Sequence, residues 1–285
     1  MRRHQTSLTA AGIAVARAIE SKKPEGERIC YDPFARRFAP GWLYFMTVLF
    51  VKSGYAERRG PGVMGYLAVR ERYIDDVLQE FLGKGLQQLV ILGAGYDARA
   101  YRFGELKQVR VFEVDHPATQ AEKLARVQVI FGALPAHVTY VAVDFNSQNL
   151  QKRLEESGYD PTRKTLFLWQ GVTMYLTAGA VDDTLRFVVQ HAAADSAIVF
   201  DYLHRSVLDG IQKHGEVSNM RRYRFMTGEG LTFGIEEGTV EAFLRQRGFR
   251  LVRDMDAEGL RRTYFKGRNA GRKVATGYGI VVAQV

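Results

Sequence analysis

The sequence predicts an α/β protein, a mostly parallel sheet covered on both faces by helices and preceded by a helical N-terminal region. Three observations carry that prediction. From residue 86 onward short apolar runs alternate with segments of helical period, and every parallel crossover needs a helix to return the chain. The run Gln88-Leu-Val-Ile-Leu-Gly-Ala-Gly-Tyr-Asp97 reads as a buried strand emptying into two glycines one residue apart. Residues 6–85, by contrast, read as helical.

In chain order, Ala10, Ile13, Ala14, Arg17 and Ala18 recur at helical spacing. Lys22-Lys-Pro-Glu-Gly-Glu and Tyr31-Asp-Pro-Phe-Ala then form turns, since Asp-Pro favours a turn or a helix entry. The longest apolar stretch, Trp42 to Val51, is too short to span a bilayer, which takes about twenty residues. A buried or cleft-lining helix is expected there, with a surface or membrane-contacting lid as the alternative. Tyr66 to Leu82 forms a long helix with Leu67, Ile74, Val77, Leu78 and Phe81 on one face.

Candidate strands follow at 88–93, 109–114, 138–143, 165–170, 197–202, 249–254 and 277–284. Helices fit between them at 97–104, 117–131, 147–157, 178–193 and 237–247. The last strand follows its predecessor through a long connection without a clear helix, so it is expected to pair antiparallel. Segment 203–236 is longer than an ordinary connection and rich in Arg, Tyr and Phe. Insertions at the carboxyl ends of strands commonly cover a site, so this segment and the N-terminal helices are the expected substrate pocket. The domain reading is a helical cap over 1–85 and a sheet domain over 86–285 with a lid at 203–236.

Composition narrows the function classes. The 285 residues are 46% hydrophobic and 25% charged, ordinary for a globular enzyme. A lone Cys30 and the absence of an apolar leader after Met1-Arg-Arg-His point to a cytoplasmic location, with no secretory signal and no membrane-inserted segment expected. The net charge of +9 raises the question of nucleic acid. The basic residues from Arg245 to Lys273 are, however, mixed with Asp254, Asp256 and Glu258, which favours solvated surface. No His/Cys/Asp spacing marks a metal site.

The chemistry concentrates at strand ends. Val111-Phe-Glu-Val-Asp115 follows the glycine turn about twenty residues on, as in a site for an adenosine-bearing cofactor. Gly93-Ala-Gly95-Tyr-Asp-Ala98 satisfies the G-x-G-x-x-A dinucleotide fingerprint, so a nicotinamide oxidoreductase using Glu113 or Asp115 is one reading. Further polar strand ends, Val141-Ala-Val-Asp144-Phe145 and Leu166-Phe-Leu-Trp-Gln170, favour a compact cofactor held as a whole. S-adenosylmethionine is such a molecule: one carboxylate accepts both ribose hydroxyls, another takes the adenine amino group, and an apolar neighbour packs on the ring. A cofactor- or nucleic-acid-binding protein without catalysis is a third reading. Asp97 is expected to bond the backbone of the glycine turn.

The chain resembles the leucine carboxyl methyltransferase-like O-methyltransferases, which include polyketide O-methyltransferases. The resemblance rests on Thr9-Ala-Ala-Gly-Ile-Ala-Val-Ala-Arg-Ala18, Tyr31-Asp-Pro-Phe-Ala35, Val69-Arg-Glu-Arg-Tyr-Ile-Asp75 and Leu92-Gly-Ala-Gly-Tyr-Asp-Ala-Arg99. It continues through Phe112-Glu-Val-Asp-His-Pro117, Val143-Asp-Phe145, Gln170-Gly-Val-Thr-Met-Tyr-Leu176 and Leu231-Thr-Phe-Gly-Ile235. It implies a class I methyltransferase, with a Rossmann-like sheet and S-adenosyl-L-methionine as cofactor. By that resemblance Arg70 grips the cofactor's carboxylate, Gly93 and Gly95 line its tail, Asp115 holds the ribose, and Asp144 and Phe145 bind the adenine. A looser match brings Arg17 to the carboxylate. Glu113 then becomes a supporting group behind Asp115. The family's fourth strand commonly ends in Glu; here Gln170 keeps an acceptor, adds two donors and loses the charge.

The implied reaction is methyl transfer to a carboxyl or hydroxyl oxygen of a small molecule, polyketide-like or another organic acid. A carboxylate acceptor is ionised at neutral pH and needs no base, only groups that orient it. Tyr175, Tyr202, Arg221, Arg222 and Arg224 are candidates. A phenol, with a pKa of about 10, profits from a base such as His204 or His214.

Overall fold

The computed structural model describes residues 8–145, 147–209 and 230–285. Among these residues seven strands form one sheet: β1 (Gln88–Leu92), β2 (Arg110–Asp115), β3 (Val138–Ala142), β4 (Thr165–Trp169), β5 (Ala197–Leu203), β6 (Leu251–Met255) and β7 (Tyr278–Gln284). Their order is β3-β2-β1-β4-β5-β7-β6. The first five are parallel, and β7 enters between β5 and β6, antiparallel to both. The predicted antiparallel last strand is therefore present. Strand order reverses between β1 and β4, the switch point at which open parallel sheets leave a crevice beyond their carboxyl ends.

Alternation along the strands explains why both faces are covered. Leu89, Ile91, Leu166, Leu168 and Val199 point into one core; Val90, Leu92, Phe167, Trp169 and Phe200 point into the other. Both sets are buried, so the strands read as unbroken apolar runs. Among the described residues, five helices precede the sheet: α1 (Leu8–Ser21), α2 (Ala35–Phe38), α3 (Gly41–Lys52), α4 (Tyr55–Arg59) and α5 (Val63–Gly83). The face predicted for α5 is the one it buries, with Ile74, Val77, Leu78 and Phe81 in the same core as β1, β4, β5 and β7.

The crossovers are α6 (Arg99–Arg102), α7 (Pro117–Phe131), α8 (Leu150–Glu156) and α9 (Ala178–His191), with the short α10 (Arg205–Leu208) after β5. Pro117 stands in the first turn of α7, where a missing N–H costs nothing, and His116 Nδ1 accepts from the Ala118 amide at 3.3 Å. Among the described residues no helix is long and apolar enough to cross a membrane.

Trp42–Val51 departs from expectation. It is helical, as α3, but none of its residues is buried. Leu43, Tyr44, Thr47, Val48 and Val51 face the protein and are half-buried; Trp42, Phe45, Met46, Leu49 and Phe50 face outward. Both stripes are apolar at helical spacing, so hydropathy alone cannot say which one is covered.

The basic C-terminal residues are dispersed. Arg245 pairs with Glu241, Arg247 with Asp182, Arg253 with Glu80, Arg261 with Glu258, Arg268 with Glu27 and Arg272 with Glu20.

Candidate active site

Two adjoining cavities open at the carboxyl ends of the strands. The first, of about 310 Å³, lies over β1, β2, β3 and β4. Its floor is the turn after β1. Gly93 (φ 68°) and Gly95 (φ 44°) both occupy the left-handed region that side chains avoid. A Cβ on Gly93 would also stand 2.3 Å from Val172 Cγ2, so the turn and the loop after β4 meet only through glycine.

Asp115, ending β2, is pinned by its neighbours. One carboxylate oxygen accepts from the Gly95 amide, the other from the His116 amide at 2.6 Å. Burial raises its pKa, while those two backbone donors oppose the rise. Each oxygen retains a lone pair for a further donor. Asp144 and Phe145, beyond β3, and Gln170, beyond β4, complete the wall.

Beneath this cavity lies a buried ionic cluster. The Arg99 guanidinium contacts Asp75, Asp97, Glu71 and Gln170 Oε1, the last at 2.9 Å. Arg17 bonds Asp32 at 3.0 Å, Glu71 at 3.1 Å and the Tyr96 carbonyl. Burial would push the Asp97 carboxyl up, but Arg99 and Arg17 hold it down at about 2. Asp97 also accepts from the Arg99 amide at 2.7 Å, at the start of α6 rather than on the glycine turn expected from its position.

The second cavity, of about 390 Å³, shares Thr9, Ile13, Gly171 and Tyr175 with the first. Its walls include Val63, Leu67, Met174, Val207 and Leu231, with Tyr66 and Tyr278 stacked 4.6 Å apart between ring centroids. Two guanidinium groups, Arg59 and Arg70, line it, and among the described residues no carboxylate and no histidine does. Arg70 is 3% exposed and pairs through Nη1 with Asp201 at 2.6 Å. Its Nε and Nη2 are buried without a hydrogen-bond partner among the described residues. Asp201 also accepts from the Gly171 amide at 2.5 Å and from Tyr66 Oη at 3.3 Å. It thereby ties α5 to the loop after β4.

The geometry sorts the candidates. Gly93, Gly95, Asp115, Asp144, Phe145 and Gln170 come together in the first cavity, Arg70 lines the second, and Tyr175 lines both. Tyr202 and His204 line neither. Tyr202, proposed as an acceptor-orienting group, is buried on the opposite face of β5 from Asp201; its hydroxyl bonds Asp254 at 3.0 Å and its ring fills the space over Gly279. Strand alternation explains this, since adjacent residues point to opposite faces. His204, proposed as a base, lies 3.4 Å from Glu237 and its amide bonds the Gly277 carbonyl. Arg17 is in the wall, but its guanidinium is committed to Asp32, Glu71 and Tyr96. Glu113 lies behind Asp115, fully buried, 2.8 Å from Lys123 and 3.1 Å from the Tyr101 hydroxyl. His214, Arg221, Arg222 and Arg224 lie outside the described residues.

Asp201 and Arg99 were not anticipated. Asp201 does carry a signal: Ala197-Ile-Val-Phe-Asp201 is an apolar strand closing on an acid, the pattern that singled out Asp115 and Asp144.

Comparison with known proteins identifies the family. The model of the family described as leucine carboxyl methyltransferase matches residues 10–189. YktD of Bacillus subtilis strain 168, provisionally named an S-adenosyl-L-methionine-dependent methyltransferase, is 30% identical over 289 residues, covering 94% of each chain. SCO7813 of Streptomyces coelicolor, named in the same way, is 30% identical over 202 residues, 70% of each. A crystal structure of a provisionally named methyltransferase from Thermobifida fusca YX superposes with a TM-score of 0.58 at 15% identity, covering 98% of this chain and 95% of the other. It shares the fold described above. The chain belongs to the leucine carboxyl methyltransferase family and is an S-adenosyl-L-methionine-dependent methyltransferase.

Proposed function

We propose that the enzyme methylates an oxygen, in the first place a carboxylate oxygen, of a small molecule with an apolar body. The observation that carries this reading is the second cavity. It has apolar walls and two guanidinium groups, and no described carboxylate or histidine lines it. Such a wall favours an anion and offers no general base, the combination that suits an acceptor already ionised at neutral pH. A hydroxyl acceptor would need its proton removed, which makes it the second choice.

The cofactor fits the residues at hand. The unpartnered Nε and Nη2 of Arg70 form a buried guanidinium edge at the junction of the cavities, where a Cβ on Gly171 would lie 3.4 Å from Nη1. A carboxylate satisfies both nitrogens in one bidentate contact, and the family resemblance assigns this to the cofactor's amino-acid tail. Gly93 and Gly95 leave room along the turn, Asp115 offers its spare lone pairs to the ribose, and Asp144 with Phe145 frames the adenine. When bound, S-adenosylmethionine supplies a methyl group made electrophilic by sulfonium charge.

The protein's share is then proximity and alignment, for which effective molarity accounts for roughly 7–11 kcal/mol of barrier. Tyr175, in both walls, stands where the two ligands meet. Tyr66, its pKa raised by burial and by Asp201, stays protonated and donates rather than accepts charge. Arg59, the other guanidinium of this wall, would draw the acceptor's carboxylate toward it.

The test is incubation with S-adenosylmethionine and paired apolar carboxylic acids and alcohols, with products read by mass spectrometry. A methyl product labile to mild base is the expected ester; a base-stable ether moves the assignment to hydroxyl. Methyl on nitrogen or carbon sinks the proposal.

A further inference from the structure

The face of α3 that points away from the protein is a feature the methyl-transfer reading leaves unused. Trp42, Phe45, Met46, Leu49 and Phe50 form a stripe at spacings of three and four, with Trp42 and Phe45 more than 60% exposed. Isolated exposed apolar residues need no explanation, but a contiguous stripe of this kind marks an interaction surface.

Its setting says which kind. From Pro33 to Ala56 the chain contains no Asp or Glu, while Arg36, Arg37 and Lys52 lie in or beside the helix and are exposed. Arg58 follows in α4, also exposed, next to Glu57, whose carboxylate accepts from the Gly62 amide at 3.0 Å. Lys22 and Arg36 stand over the ring of Tyr44, on the protein-facing side, at 5.3 and 4.5 Å from its centroid, so the exposed cations that remain for the outward stripe are Arg37, Lys52 and Arg58. None of Lys22, Arg36, Arg37, Lys52 and Arg58 forms an ion pair with a described carboxylate. An apolar face with a tryptophan at one end and cations at both ends matches a lipid interface, where rings settle at headgroup depth and Lys and Arg meet anionic headgroups.

A second copy of the chain is the weaker match. Taking about 150–250 Å² per large side chain, the exposed parts of the stripe present roughly 500 Å². A stable dimer buries about 800 Å² per partner, and apposing two copies of this face would bring like charges together.

We propose that α3 docks the enzyme in the plane of an anionic lipid surface, beside the acceptor cavity. The link to that cavity is short: Phe50 meets Tyr55 at 5.3 Å between centroids, and Arg59, whose Nε bonds Tyr55 Oη at 3.2 Å, lines the cavity wall. Docking would set the cavity near the phase in which apolar acids partition. The docking itself does not rest on the acceptor's identity.

The chain supplies its own reporter. It has two tryptophans; Trp169 is fully buried in β4, so a change in emission on docking belongs to Trp42. Full-length protein is titrated with vesicles of equal phosphatidylcholine and phosphatidylglycerol, and with pure phosphatidylcholine, at low and high salt. A blue shift and co-sedimentation with the anionic vesicles are expected, weakened at least ten-fold by high salt or by Phe45→Ser with Leu49→Ser. The double variant should keep its melting temperature and its affinity for S-adenosylmethionine, because both side chains are exposed. Trp42 shielded from a soluble quencher in lipid-free protein would mean that another surface already covers the face, and would overturn the proposal. So would a dimer abolished by the same variant, or equal binding to both kinds of vesicle at every salt concentration.

Discussion

The two cavities touch along Thr9, Ile13, Gly171 and Tyr175, yet they are built from opposite materials. The first rests on directional interactions: glycines at positive φ, a carboxylate held by two amides, and a buried cluster in which Arg17, Arg99 and Arg102 meet Asp32, Glu71, Asp75 and Asp97. The second rests on shape, with apolar side chains around the Arg70–Asp201 pair. A wall of fixed donors and acceptors recognises one molecule, because each mismatch leaves a buried polar group unpaired. An apolar wall discriminates by volume, at only about 1–3 kcal/mol per methylene. The first half should therefore respond sharply to single polar substitutions, and the second should tolerate a range of acceptors.

The largest effect that tests this contrast falls on Arg99. Arg99→Ala leaves Glu71, Asp75 and Asp97 buried with their common partner gone. Removing one member of a buried ionic set costs about 3–5 kcal/mol. At about 2–4 °C per kcal/mol for a chain approaching this size, a drop of roughly 6–20 °C in melting temperature is expected. A drop under 2 °C would mean that the cluster is not the foundation of the cofactor wall.

Asp115→Ala comes next and should spare the fold while removing the ribose acceptor. Hydrogen bonds to a charged group are worth about 1.5–3 kcal/mol, so S-adenosylmethionine affinity by calorimetry should fall roughly 10- to 150-fold. Acid should separate the same two parts. Asp115 is raised by burial, so it loses charge, and with it cofactor affinity, at a higher pH than an ordinary carboxylate. Asp97 is held at about 2, so the stability it contributes is present above the ordinary carboxylate range and is lost only as pH falls toward that value. Titration from pH 7 to 3 should show cofactor affinity failing before the melting temperature does; the reverse order contradicts these assignments.

The contrast also explains which parts were legible in the sequence. Gly93, Gly95, Asp115 and Asp144 were readable because each sits where an apolar run stops, and the turn that exposes it is written in the next few residues. Asp201 is written the same way, but its use depends on Arg70, 131 residues earlier in the chain. Tyr202 was misplaced because alternation says that it and Asp201 diverge without saying which of them faces the crevice. That choice is made by α5 and the loop after β4, whose Tyr66, Arg70 and Gly171 amide meet Asp201. The walls of the second cavity come from α1, α5 and several loops as single apolar residues, each indistinguishable in sequence from ordinary core. α3 failed for a related reason: both of its faces are apolar, and only packing decides which is covered.

Arg70 stands where the two materials meet, so it can break the division between them. Arg70→Lys keeps the charge toward Asp201 but loses the planar fork that suits a carboxylate. A roughly ten-fold rise in the dissociation constant for S-adenosylmethionine is expected, at about 1.4 kcal/mol, with little change in the KM of the acceptor. A rise confined to the acceptor's KM would reassign the unpartnered nitrogens to the second cavity.

Gln170→Glu should have the smallest effect, and it is informative for that reason. Gln170 Oε1 accepts from Arg99 Nη1 at 2.9 Å, and a Glu oxygen of nearly identical shape can do the same. The added charge strengthens that contact but brings a second carboxylate toward Asp97, on the same guanidinium nitrogen. These effects oppose each other, and cofactor affinity should stay within about three-fold, or about 0.7 kcal/mol. A gain of ten-fold or more would show that the wall after β4 lacks a charge that the cofactor uses. The first cavity would then be tuned below its attainable affinity, and Gln170, rather than Asp115, would be its adjustable element.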